Sequence, residues 1–260
     1  MSVNIGIIPA RMAATRFPDK PLFKIKGIPM IGHVYFRTKM CPLLDEVYVA
    51  TCDQEIASYI KSVGGKVIMT SHRHERCTDR IAEAASQLTA DIVVNVQGDE
   101  PLILPEMLEA AVKPLREDET LSCVNLVVKI KSDEEFNSVN VPKVVVNLAD
   151  EIIYISREAI PSFRKTQLKN YRRLKQLGII AFRKNFLIEF ARLEPTPNEI
   201  VESVDMMRAI DHGFHVKAVE VLGEMIGVDA PEDVRSVEER LVNDQLYARY
   251  KNNSLRAVKS

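Results

Sequence analysis

Short runs of valine and isoleucine recur along this chain, separated by segments whose apolar residues return every three or four positions. A strand buried on both faces reads as a continuous apolar run, so this alternation predicts a mostly parallel sheet covered by helices on both sides. Val3–Ile8 is the first such run. A helix is expected over 30–40, with Met30, Ile31, Val34 and Tyr35 on one face, then a strand over 46–51. The helix predicted over 54–63 ends at Gly64-Gly65, where glycine supplies the left-handed closing residue. A short strand at 66–70, a helix at 79–87 and a strand at 91–97 follow, the last running into Gly98-Asp99-Glu100-Pro101. Beyond Pro105 the pattern predicts a helix at 106–115 and a strand at 121–130. Strands at 141–146 and 151–156 pair through a turn at 147–150, and another strand covers 177–182. Helices at 184–192 and 200–211 and a strand at 216–221 precede a last helix at 231–243, entered through Asp229-Ala230-Pro231 with proline in its first turn. From about Tyr250 the chain turns polar and basic and is expected to fray.

Composition narrows the reading. The 260 residues allow one large α/β domain, or a main domain with a smaller one attached. With 35 Lys and Arg against 36 Asp and Glu the chain is nearly neutral, which argues against a non-specific nucleic-acid binder. A polyanionic ligand must therefore be met by a few placed cations. The N-terminal segment reads as a strand, not a signal peptide, and no uncharged apolar run reaches the roughly 18 residues of a membrane span. Cys41, Cys52, Cys77 and Cys123 form no CxxC pair and have no zinc-type spacing, which fits a reduced cytoplasmic setting without disulfides. The basic stretch at 163–175 is either a solvated surface or an anion site.

Three segments carry chemistry. Ile8-Pro9-Ala10-Arg11, with Arg16 and Lys20-Pro21-Leu22, puts three cations beyond the carboxyl end of the first strand, where open α/β sheets bind ligands. It lacks the glycine pattern of a Walker A loop, so phosphates would be held by side chains and a few backbone N–H groups. Asn95-Val96-Gln97-Gly98-Asp99-Glu100-Pro101 ends a buried strand with a carboxylate suited to a hard cation such as Mg²⁺, or with a plain turn. Gly227-Val228-Asp229-Ala230-Pro231 offers Asp229 as a helix N-cap, a metal ligand, or both. Cys77 sits between Arg76 and Thr78, but no histidine or asparagine is arranged for thiol catalysis.

These segments together with Thr78-Asp79-Arg80, Ser156-Arg157-Glu158-Ala159-Ile160-Pro161, Leu177-Gly178 and Val228-Asp229-Ala230-Pro231-Glu232-Asp233-Val234 resemble the CMP-Kdo synthetases. These are 3-deoxy-manno-octulosonate cytidylyltransferases of bacterial lipopolysaccharide and capsule synthesis, and the similarity runs from Ile5 to about Leu241. The resemblance implies a Rossmann-like, GT-A-like nucleotidyltransferase domain over 1–243, with a nucleotide half at 1–120 and an inserted acceptor and dimerisation region at 121–222. A metal-ligand turn and helix follow at 223–243, then a tail at 244–260. It also implies a cytoplasmic homodimer that binds neither nucleic acid nor membrane. It would use CTP and Mg²⁺ to transfer CMP to the anomeric hydroxyl of a small acidic sugar, releasing pyrophosphate. Carried over by position, Pro9, Ala10, Arg11, Arg16 and Lys20 meet the nucleotide and its phosphates, while Thr78, Arg80 and Gln97 hold the cytidine end. Asp99 and Asp229 are the implied metal ligands, and Lys20, Arg11 and the two aspartates carry catalysis. Lys143, Arg157, Gln176, Asp205 and Met206 fall on the acceptor side.

The chain departs from the family where specificity is set. Arg76-Cys77 replaces the usual Ser-Gly before threonine, adding a charge beside the nucleotide pocket. Gln176 and Ile180 stand where histidine and tyrosine are usual, and Val204-Asp205-Met206-Met207-Arg208 replaces Leu-Glu-Gln-Leu-Arg. Losing a ring nitrogen, a phenol and an amide changes which acceptor hydroxyls find a partner. The acceptor expected here is Kdo, another ulosonic acid, or a phosphorylated small molecule of capsule synthesis. A silent nucleotide-binding scaffold is a third reading, disfavoured because it has no need of both aspartates.

Overall fold

The computed structural model describes residues 2–12, 17–165, 168, 170–223 and 226–252. β1 (Asn4–Ala10) leads through a 3-10 turn at Lys20–Leu22 to a small hairpin, β2 (Lys24–Ile25) and β3 (Ile28–Pro29), and then to α1 (Met30–Thr38). β4 (Glu46–Thr51), α2 (Gln54–Ser62), β5 (Lys66–Met69), α3 (Cys77–Ser86) and β6 (Ile92–Asn95) complete the first half. α4 (Pro105–Glu117), β7 (Cys123–Lys129), α5 (Asp133–Asn137), β8 (Lys143–Val146), β9 (Ile152–Ser156) and the long β10 (Leu174–Arg183) come next. The chain continues with α6 (Lys184–Phe190), α7 (Pro197–Glu202), α8 (Met206–Asp211), β11 (Lys217–Glu220), α9 (Asp233–Leu241) and α10 (Gln245–Tyr250).

The strands assemble in the order β11-β7-β10-β6-β1-β4-β5. β10 runs antiparallel to both of its neighbours β6 and β7, whereas the other contacts along this path are parallel. β8 pairs with β10 and β9, adding an antiparallel extension at one end. Alternating residues of the central strands feed two cores, because successive side chains of a strand point to opposite faces. Ile8, Val47 and Val49 pack with α1, α2 and α4 on one face; Ile5, Ile7 and Val93 pack with α3, α6 and α8 on the other. A third, smaller cluster joins Phe17, Ile25 and Met30 to Val228, Val234 and Leu241, so α9 packs on the loop that follows β1.

Two segments differ from the sequence reading. The helix expected over 200–211 is two helices, α7 and α8, separated at Ser203, which adopts a left-handed φ of 53°. α7 starts at Pro197 with a capping box between Thr196 and Glu199, and the break leaves Asp205 at the start of α8. The residues from 244, expected as a tail, begin with a packed helix. Tyr250 is 1% exposed, stacks on Phe36, and its hydroxyl lies 2.7 Å from His33 Nδ1 and 3.2 Å from Arg37 Nε, which donates to it. Asp244 sets a carboxylate oxygen 2.8 Å from the buried Arg37 guanidinium. The apolar faces of Tyr247 and Tyr250 therefore outweigh the polar composition of this stretch.

Candidate active site

β1 and β6 are parallel neighbours, so their carboxyl ends open together, the place where open α/β sheets take ligands. Pro9, Ala10 and Arg11 leave β1 there, and Gln97-Gly98-Asp99 leaves β6. Gly98 is required by this approach, since a Cβ on it would stand 2.8 Å from the Pro9 carbonyl oxygen. The turn after β11 returns to the same point: Val228 N–H donates to the Asp99 carbonyl at 2.9 Å. Asp99 and Asp229, 130 residues apart, are thereby brought to one end of the sheet.

Lys20 lies between them. Its ammonium is 2.8 Å from Asp99 Oδ2, donates to the Val228 carbonyl at 2.9 Å, and is 3.9 Å from Asp229 Oδ1. The two carboxylates therefore face one point of positive charge. Among the described residues no three His, Cys, Asp or Glu side chains gather to hold a metal. The pair fits a hard divalent cation that takes its other ligands from phosphate and water. Beside them, Glu100 is held well above the usual carboxylate range by burial, with Asp99 and Asp229 adding to the effect, and its Oε2 is buried without a partner among the described residues.

Pro9, Ala10, Arg11, Arg76, Cys77 and Arg80 line a small cavity of about 80 Å³ at the mouth of β1. Arg80 is buried and donates from one terminal nitrogen to Thr70 Oγ1 at 2.5 Å and the Ser71 carbonyl at 3.3 Å. Its other terminal nitrogen is buried with no partner among the described residues. Gln97 faces Gly178 closely enough that a Cβ there would collide with it. Cys77 opens onto the cleft, but the protein crowded around it, together with Asp99 and Asp205, pushes its thiol up to about 11, so it is no activated nucleophile. Arg16 lies outside the described residues.

Comparison with known proteins gives this geometry a lineage. Residues 5–222 match the family model described as cytidylyltransferase. A 3-deoxy-manno-octulosonate cytidylyltransferase of Geobacter metallireducens is 45% identical, over 93% of this chain and 98% of that protein. The chain belongs to the 3-deoxy-manno-octulosonate cytidylyltransferase family. The relative from Geotalea daltonii is also 45% identical, over 91% of this chain and 97% of its own length. A solved structure of CMP:2-keto-3-deoxy-manno-octonic acid synthetase complexed with CTP superposes with a TM-score of 0.87 at 36% identity, covering 92% of this chain and 98% of that one. A 4-diphosphocytidyl-2C-methyl-D-erythritol synthase from Anaerococcus prevotii, at 15% identity and a TM-score of 0.61, shares the fold.

Against this family background the acceptor-side residues divide. Asp205 accepts a hydrogen bond from Thr78 Oγ1 at 3.0 Å and stands 3.2 Å from Arg76, so the cytidylyltransferase cleft is bridged from α3 to α8. Burial pushes its carboxyl above the usual range, while Arg76 and Thr78 pull it back. Gln176 donates to Asn125 Oδ1 at 2.6 Å. Lys143 is buried and donates to the Ser138 carbonyl at 2.9 Å and to the Arg157 carbonyl. Arg157 donates to the carbonyls of Glu202, Val139 and Ser203, making it a brace between β9 and the end of α7. Met206 is fully buried in the core with Met207, away from the role of an acceptor contact.

Asp229 does not cap the following helix. α9 starts at Asp233 with Glu232 at its N-cap position and no side-chain cap; the Asp233 carboxylate instead ties the preceding turn, accepting from the backbone N–H groups of Asp229 and Ala230 at 2.9 Å, and the Asp229 carboxylate lies 3.9 Å from the Lys20 ammonium. Asn125 is a residue the sequence reading missed. It is fully buried, donates to the carbonyls of Leu177 at 2.9 Å and Ile179 at 3.3 Å, and so holds the register shift between Gln176 and Ile180 that brings Gly178 against Gln97. The available signal was an asparagine within the apolar run Cys123-Val124-Asn125-Leu126-Val127.

Proposed function

We propose that this chain transfers CMP from CTP to the anomeric hydroxyl of a 2-keto-3-deoxy sugar acid, Kdo or a related ulosonic acid, with release of pyrophosphate. The observation that carries the reading is the Lys20 ammonium held between Asp99 and Asp229 where β1 and β6 open. The acceptor oxygen attacks the α-phosphorus in line, the bond to the β-phosphate breaks, and the hydroxyl proton leaves to solvent. This step asks the protein chiefly for positioning and neutralisation of charge. Arg11, Arg16 and Lys20 oppose the triphosphate charge, Pro9 and Ala10 supply backbone at the mouth of β1, and Thr78, Arg80 and Gln97 shape the cytidine end. Asp99 and Asp229 hold Mg²⁺, whose contribution when bound is to polarise the phosphate oxygens and offset the charge on the leaving pyrophosphate. Gln176 and Asp205 face the acceptor.

The enzyme works as a homodimer in the cytoplasm. Ile153, Ile200 and Val201 are exposed on β9 and α7, elements tied together by the Tyr154–Glu202 hydrogen bond, and such apolar residues are suited to an interface. No helix among the described residues is long and apolar enough to cross a membrane. The test is to incubate the protein with CTP, Mg²⁺ and a panel of acids and phosphorylated small molecules while following pyrophosphate. Release with a 2-keto-3-deoxy acid is the expected result; release only with a phosphorylated acceptor replaces this reading with transfer onto phosphate, and the absence of both release and CTP binding refutes it.

A further inference from the structure

We propose that Arg76 binds the carboxylate of the acid acceptor, exchanging its contact with Asp205 for one with the ligand. The inference rests on the reading that the acceptor is a 2-keto-3-deoxy acid, and it starts from where the cations of the cleft are committed. The Arg157 guanidinium donates from Nε to the Glu202 carbonyl at 2.8 Å and from its terminal nitrogens to those of Val139 at 3.1 Å and Ser203 at 3.3 Å. Lys143 is buried with its ammonium on two carbonyls. Arg208 is gripped at 2.6 and 2.7 Å by the buried Glu199 carboxylate, and Arg80 turns to Thr70 and Ser71. Drawing Arg157, Lys143 or Arg208 onto a ligand gives up a partner fixed in the fold, and Arg80 is tied through one terminal nitrogen while its other is buried without a partner among the described residues.

Arg76 stands differently. Its side chain is 34% exposed, it lines the cavity at the mouth of β1, and it reaches across to Asp205 at 3.2 Å, with a weaker contact to Ser203 Oγ at 3.5 Å. Its principal partner is thus a carboxylate, the same chemical group that an acid acceptor brings. Asp205 does not lose its last partner in the exchange, because Thr78 Oγ1 continues to donate to it at 3.0 Å. A guanidinium presents two parallel N–H groups to a carboxylate, and the geometry suits a planar acid better than an ammonium does. Cys77, which lines the same cavity, feels the negative charge of Asp99 and Asp205, so an anionic acceptor entering there gains from a cation set against them.

The test compares the acid acceptor with its neutral carboxamide at saturating CTP and Mg²⁺, in the wild type, R76Q and R76K. The wild type is expected to prefer the acid. R76Q is expected to raise KM for the acid about 10- to 100-fold, the range of a charged hydrogen bond, to leave CTP affinity by calorimetry within about threefold, and to lose the preference for acid over amide. R76K retains a point charge without the fork and falls between. Should R76Q fail to fold, R76K decides alone: an acid preference undiminished from the wild type overturns the assignment. An R76Q enzyme that still prefers the acid to the wild-type extent does the same. If the wild type releases pyrophosphate with no acid at all, the functional reading fails and takes this inference with it.

Discussion

Replacing His33 tests how the C-terminal helix is tied to the rest of the molecule. The imidazole is fully buried between the Ile25 carbonyl, 2.9 Å from Nε2, and the Tyr250 hydroxyl, 2.7 Å from Nδ1. A neutral ring with its hydrogen on Nε2 satisfies both, donating to the carbonyl and accepting from the phenol. Burial lowers its pKa from 6.5 to about 4, with the nearby Arg37 acting in the same direction. Since the folded value lies below the unfolded one, the unfolded chain binds more protons within that window. The contribution to stability is complete above pH 6.5 and is lost as pH falls toward 4, where the loss reaches about 3 kcal/mol. Between pH 7.5 and pH 5.0 the loss from this group is about 2 kcal/mol by the same linkage. Other groups titrate too, and Glu100 and Asp205, raised by burial, act with the opposite sign. The discriminating measurement is therefore a difference: urea unfolding of wild type and H33Q at the two pH values. H33Q starts less stable at pH 7.5, yet its change between the two pH values is expected to be smaller than that of the wild type by about 2 kcal/mol. Equal changes in the two proteins would refute the claim that this ring is held neutral by the packing of α10.

Other substitutions probe the site and its supports. K20M and D99N should each lower pyrophosphate release by about 100- to 1,000-fold while the circular dichroism spectrum is unchanged, because both groups border the cleft and neither anchors the core; near wild-type turnover in either sets its catalytic role aside. G178A forces Gln97 to move, and since that side chain is flexible the expected result is a folded protein with a raised KM for CTP, read from initial rates. E199Q breaks a buried pair with Arg208, whose partners are 1% and 5% exposed, so a loss of about 3–5 kcal/mol in denaturant unfolding is expected.

The first hundred residues were legible because their strands are buried on both faces, and such strands write themselves as uninterrupted apolar runs. β4 falls at Glu46–Thr51, as its pattern predicts, and the carboxyl ends of β1 and β6 meet because parallel pairing aligns them. What escaped was geometry decided by single residues or by distant partners. The apolar spacing over 200–211 continues across Ser203, so periodicity alone cannot register the left-handed residue that ends α7. The antiparallel course of β10 depends on which neighbours it finds, not on its own alternation. Tyr250 sits among lysines and arginines, and its polar context conceals a phenol that closes on His33 and Arg37. In the candidate site the convergence of the aspartates and Lys20 at one end of the sheet was legible from their place after strands and turns; the carbonyl contacts of Arg157 and Lys143 were not, because a basic side chain aimed at a backbone carbonyl has the same letter as one aimed at a ligand.

That last distinction bears on how the near balance of charge in this chain is read. Many cations are spent as braces at the ends of elements. Arg183 donates to the carbonyls of Leu121, Leu115 and Asp118, two of these at the end of α4. Lys184 reaches the carbonyl of Leu88, and Lys217 that of Ala149 at 2.6 Å. Carbonyls at helix ends have no partner within the helix, so a basic side chain supplies one and the contact is fixed when the chain folds. A cation held by a cleft carboxylate is in another situation. Its partner is an anion of the kind a substrate carries, so the cation stays paired when one replaces the other, and the displaced carboxylate falls back on its remaining donors. Lys20 between Asp99 and Asp229, and Arg76 beside Asp205, are the cleft cations with such partners. The number of lysines and arginines therefore says little about anion binding in this protein. What decides it is whether each cation is paired with a carbonyl of the fold or with a carboxylate that a ligand can replace.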